Sequence, residues 1–196
     1  MKVNTRQAAF EFLSIVVAVV LAMTLTEWRQ DHLNRKLAAK SFDNIATEIR
    51  ENIEELRGDS ARIAKDLQFM STWVRNRVEK KPNESFKANF RLSILSTAAY
   101  EVAQVNQSLT HLSNEQNMDI ATLYALQDFY TDKASEVFNL MGNLQGEVID
   151  QESDAFFKLV QKMRYHEGLV FNTIRAYISG GEEFLERYPQ ASELGV

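Results

Sequence analysis

The chain has 196 residues, 45% of them hydrophobic and 25% charged, with a formal net charge of −5. An acidic balance argues against a nucleic-acid-binding surface across the whole chain, and the lack of cysteine removes disulfides and thiolate metal sites. Only seven Gly and two Pro point to helix almost throughout.

A polar tail, residues 1–7, leads into an apolar run. No residue from Phe12 to Thr26 is charged, and extending the run back to Ala8 admits only Glu11. As helix, residues 8–26 rise about 28 Å, close to a hydrocarbon core of ~30 Å. We therefore expect a single transmembrane helix over residues 8–27. Trp28 falls at the interface, where an indole buries its ring and wets its N–H. Arg29, Arg35, Lys36 and Lys40 follow on a polar stalk, residues 28–41, and suit anionic headgroups. Two other readings compete. A cleaved signal peptide would use Lys2 and Arg6 as its basic region and Val20-Leu21-Ala22 as its cleavage site, but the apolar run continues to Leu25. A buried core helix of a soluble protein would not need Ile15 to Leu21 to be apolar on every face.

Within the span, Ser14, Ala18, Ala22 and Thr26 recur every four residues, the pattern that lets a second helix approach closely. Glu11 falls on the same side, below Ser14. Either it is paired inside a helix–helix contact, because an intramembrane carboxylate otherwise costs several kcal/mol, or it snorkels to the headgroups. The expected partners are the bilayer and, through this face, a second copy or another membrane protein. Orientation is divided: four Lys/Arg on the distal flank favour a cytoplasmic domain, whereas a short tail leading into a span has the form of a signal anchor, which exports the domain beyond it.

Beyond the stalk, residues 42–188 read as a helical bundle, with a C-terminal tail at 189–196. Phe42, Ile45, Ile49, Ile53, Leu56, Ile63, Leu67, Met70 and Val74 keep a three-to-four spacing through Gly58. The run Lys80 to Ser85, with Pro82, breaks the helix. A second amphipathic helix is expected from Phe90, Ile94, Leu95, Ala98, Val102, Val105 and Leu109. Ser113 and Gln116 form a candidate capping box for a third, lined by Leu123, Tyr130, Ala134, Val137, Met141, Leu144 and Val148. Ser153 caps the fourth, with Phe156, Val160, Met163, Val170, Ile174 and Tyr177 inward, and Gly180-Gly181 ends or kinks it. The fold class is all-α: a transmembrane helix continuing into an elongated antiparallel bundle of about four helices.

Chemistry is sparse. The residues three before His32, His111 and His166 are Arg29, Ser108 and Met163, so the Glu-x-x-His signature of a di-iron bundle is missing. No phosphate loop, nucleophile elbow or zincin motif occurs. His166-Glu167 has the residue types of a ligand or general base, but a solvated or partly satisfied pair is the simpler reading. Glu167 lies in the apolar register between Met163 and Val170, a polar break in the core. Glu51, Glu54 and Glu55 read as a solvated face.

The stretch Glu11 to Ala22, closing with Glu27-Trp28-Arg29, resembles a group of bacterial single-pass membrane-anchored proteins of unknown function. In that group a Glu opens an aliphatic span that ends in an Asn-Trp-Asn-like or Glu-Trp-like motif. Ser96 to Tyr100 and Leu126 to Tyr130 are similar to the family's mid-region helices. This chain has Glu27 where Asn is usual, and a short tail before the span. The resemblance implies a bacterial inner-membrane protein with a helical domain, on the periplasmic side, and it supplies no activity. The expectation is a structural or interaction protein, oligomeric or an accessory subunit of a membrane complex, with no enzymatic activity and no cofactor. The alternative is a membrane-tethered, sensor-like bundle that binds a ligand.

Overall fold

The computed structural model describes the backbone of residues 5–87, 90–146 and 150–189, with side chains from residue 10 onward except 143–146. Four α-helices account for most of it: α1 (Thr5–Val78), α2 (Ala98–Val105), α3 (Asn114–Gly146) and α4 (Asp154–Arg187), with a 3-10 turn at Ser108–His111 and no strand among the described residues. The all-α bundle expected from the composition is what the chain adopts.

α1 is one uninterrupted helix of 74 residues. Its inward face repeats with alternating steps of four and three: Ala38, Phe42, Ile45, Ile49, Asn52, Leu56, Asp59 and Ile63 are all buried. That is a heptad rhythm, suited to shallow crossings with neighbouring helices. Burial starts at Ala38, so the packed domain begins inside the stretch read as a stalk; the outward residues Arg35, Lys36 and Lys40 remain exposed. The helix stops where Lys80 enters a left-handed conformation (φ 55) ahead of Pro82.

Between α1 and α3 the chain departs from the expected second helix. Residues 90–97 run as a strap without regular secondary structure, only Ala98–Val105 is α-helical, and Ile94, Val102 and Val105 are exposed. The reason is polar. Asn52 Oδ1 accepts from Ser96 N at 2.9 Å, and its Nδ2 donates to Ser96 O at 2.9 Å, an acceptor shared with Gln127 Nε2. Asp59 Oδ2 accepts from Ser93 N at 2.6 Å, and Tyr130 OH donates to Ser93 O at 2.9 Å. Glu48 Oε2 accepts from Ser96 Oγ and Ala99 N, while Gln151 pairs with both backbone groups of Phe86. Buried side chains of α1 and α3 thus supply the partners that a helix would have provided internally.

The two remaining helices keep closely to the sequence pattern. Ser113 and Gln116 bond reciprocally as a capping box, and Ser153 Oγ accepts from Phe156 N. Leu123, Tyr130, Ala134 and Val137 are buried on α3; Leu144 and Val148 lie outside the residues whose side chains are described. α4 does not break at Gly180-Gly181 but runs on to Arg187. A Cβ on Gly181 would sit 2.8 Å from Ile53 Cδ1 and 3.2 Å from Ile49 Cγ2, so this glycine lets α4 close against α1.

The order is therefore up, down, up, down: α1, strap with α2, α3, α4. α4 packs against both α1 and α3, and the strap with α2 packs along α1. One core cluster fills the end nearer the apolar segment, from Phe42 to Ile63 with Val170, Ile174, Tyr177 and Phe184. A second, aromatic-rich cluster fills the far end, with Met70, Trp73, Phe86, Phe156, Val160 and Met163. Trp73, Phe86 and Phe156 meet edge to face at ring-centroid distances of 5.5 to 5.7 Å.

Candidate functional site

The apolar segment presents every side to its surroundings. Phe12, Leu13, Ile15, Leu21, Met23 and Leu25 are each at least 60% exposed, and Trp28 is 71% exposed. α1 is long and apolar enough near its N-terminus to cross a membrane, and none of that window is buried against the rest of the chain. A core helix of a soluble domain would be covered.

On the small-residue face of the apolar segment the hydroxyls are satisfied within the helix itself. Ser14 Oγ donates to Glu11 O and Thr26 Oγ1 to Ala22 O, each at 2.8 Å. This back-bonding leaves no hydroxyl in need of a partner helix, so the face offers close approach rather than polar glue. At about 100° per residue, Leu33 and Leu37 fall in the same sector as Ala22 and Thr26, roughly opposite the Ala38–Phe42–Ile45 face that enters the bundle. Both leucines are exposed, at 49% and 40%. Arg29, Lys36 and Lys40 share that sector, so beyond the apolar segment the face is cationic as well as apolar.

His166 and Glu167 separate into different environments. His166 Nδ1 lies 2.5 Å from Glu136 Oε2, without hydrogen-bond geometry, and Glu136 also accepts from Lys133. The contact is half-buried between α3 and α4. Glu167 points inward and is 2% exposed, with Oε2 buried and lacking a hydrogen-bond partner. Burial, with Asp66 of α1 as a second contribution, pushes its carboxyl up to about 8. The Asp66 carboxyl is itself raised by burial, against the pull of Arg62. Glu167 is thus the polar break in the core that its register implied, and not a solvated group. No His/Asp/Glu group among the described residues has the geometry to hold a metal ion.

One cleft has no counterpart in the sequence pattern. It opens at the far tip, about 720 Å³, between the end of α1 (Trp73, Arg77), Lys80 to Ser85, and Gln151-Glu152 ahead of α4. Arg77 is held there by the carboxylate and carbonyl of Glu152. Lys81 pairs with Glu79 at 2.6 Å. The strap-holding residues Glu48, Asn52, Asp59 and Gln127 likewise escape a reading by periodicity. A signal for three of them is present, since Asn52 and Asp59 on α1 and Gln127 on α3 occupy inward positions where an apolar residue is expected.

No protein-family model, curated protein or solved structure matches this chain.

Proposed function

We propose that this chain is a non-enzymatic, membrane-anchored interaction protein that holds a helical bundle at a bilayer and joins it, through the span, to a second copy or to another membrane protein. The continuity of α1 carries this reading: one helix is fully exposed and aliphatic over its first part and is the spine of the bundle over the rest. An exposed apolar surface of that extent needs a covering, and the aliphatic side chains fit hydrocarbon. Trp28, Arg29 and Arg35 then fall at headgroup level, and the bundle stands on the stalk. From Trp28 to Val78 the helix rises about 75 Å, so the tip is carried far from the surface.

A bacterial inner membrane, with the bundle on the periplasmic side, is the location favoured by the signal-anchor form and the family resemblance. Phosphatase activity from a fusion after Tyr188 would support that side, and an inactive fusion that reaches full length would reject it. The association face is tested by Ala18→Leu with Ala22→Leu in a membrane two-hybrid assay. Reduced signal is expected, and an unchanged signal removes this face. Purification from native membrane in mild detergent, with mass spectrometry of co-migrating chains, separates the two partner types: a stoichiometric second protein means an accessory subunit, a lone homo-oligomer a self-assembling scaffold. The tip cleft favours a second reading, a tethered ligand-binding bundle, because about 720 Å³ is the size of a small-molecule site.

A further inference from the structure

We propose that the contact between α1 and α4 around Glu167 is a proton-operated latch, closing the distal half of the bundle while Glu167 carries its proton and loosening it when that proton is lost. Glu167 sits where the two core clusters meet: Met163 on one side of it belongs to the distal cluster and Val170 on the other to the proximal one. Its side chain is enclosed, and Oε2 has no donor to receive. A neutral carboxyl tolerates that environment, whereas a carboxylate there has lost most of its water and has no donor on Oε2 in return.

The charged groups around it offer no relief. α1 brings Asp66, a second carboxyl; Arg62 acts on Asp66, and its guanidinium is engaged by Asp59. On α3, Lys133 is taken up by Asp132 and Glu136, and Glu136 also contacts His166, the neighbour of Glu167 on α4. Opening α1 from α4 at this level hydrates both Glu167 and Asp66. Among the described residues, the buried polar side chains of the proximal half, Glu48, Asn52 and Gln127, are hydrogen-bonded to the strap and its neighbours.

Linkage gives the sign. The closed state holds the proton up to about pH 8, and an opened, hydrated carboxyl releases it near 4.5, the ordinary value. Between those limits the opening constant rises toward tenfold per pH unit, and above about pH 8 it levels off. Acidification therefore tightens the latch.

The test is hydrogen exchange on the full chain in detergent micelles from pH 5 to 9, corrected for intrinsic exchange rates. Residues 66–78 and 156–165 are compared with residues 42–52 and 174–187. Distal opening should rise up to about tenfold per pH unit until pH 8, the proximal segments should stay flat, and Glu167→Gln should remove the distal slope. His166→Asn should keep it, since His166 meets Glu136 of α3 rather than Glu167. Asp66→Asn provides a second measurement that does not depend on the Gln variant folding. Without the neighbouring charge, the plateau should be reached at lower pH. A pH-independent distal half in the unmodified chain, a slope that survives Glu167→Gln, a slope lost with His166→Asn, or an unmoved plateau in Asp66→Asn would each overturn the latch.

Discussion

Glycine shows how one residue type acquires opposite roles from its surroundings. Gly58 and Gly142 sit in helix interiors with open space where a Cβ would go. Replacing either by Ala should stabilise the fold by about 0.5–1 kcal/mol, through helix propensity and a less flexible unfolded chain. Gly181 has Ile49 and Ile53 against it, so Gly181→Ala forfeits that gain, and a larger residue such as Leu should cost about 1–3 kcal/mol by overpacking. Thermal unfolding of the variants side by side checks the contrast; equal shifts at all three positions would contradict the close approach of α4 to α1. At Tyr124, buried beside Glu48, burial and the hydrogen bond to that carboxylate both push the phenol up, so it stays a donor at any physiological pH.

Among the elements, the strap replaces a helix because its neighbours satisfy its backbone. Asn52 binds both the N–H and the C=O of Ser96, and Gln127 reinforces the second. Asn52→Ala leaves those groups short of partners in a part-buried site and should destabilise the bundle by roughly 1–3 kcal/mol. Asn52→Asp keeps the acceptor for Ser96 N but loses the donor, and should fall between. Urea unfolding reads the difference as a change in midpoint with the slope preserved. The distal aromatic cluster behaves differently, holding the tip through ring packing and the pairing of Gln151 with Phe86.

For the molecule in full, the decisive property is that α1 belongs to two environments. Its first part is exposed on all sides, and packing begins only at Ala38. A fragment starting at Leu33 should therefore be water-soluble and strongly helical by circular dichroism, whereas the full chain should require detergent. A fragment that remains unfolded would mean that the span contributes to the bundle's folding. At the base, Tyr188 packs edge to face on Phe42 at 5.5 Å and donates to Asp119 at 3.0 Å, with Arg187 on the same carboxylate at 2.8 Å. These contacts tie the end of α4 to the start of α3 and to α1 where its packing begins, so truncation before Arg187 should loosen the bundle next to the stalk.

The features legible in residue order alone were local or periodic: the aliphatic run, the inward stripes of α1, α3 and α4, the caps at Ser113 and Ser153, and the break after Val78. Each depends on side chains within a turn or two of one another, or on a rhythm that needs no partner to be visible. Glu167 was legible for the same reason, as a carboxylate standing in an apolar register. The strap, the exposure of Ile94, Val102 and Val105, the service of Gly181 and the tip cleft arose instead from packing between distant segments. The periodicity of residues 90–109 fits a helix well enough, but the backbone of that segment found its hydrogen bonds in side chains far away in the chain, and a local pattern carries no record of such donors and acceptors. Gly180-Gly181 fails as a stop signal for the mirror-image reason: the helix survives its loss of propensity because the missing side chain is what allows α1 and α4 to pack.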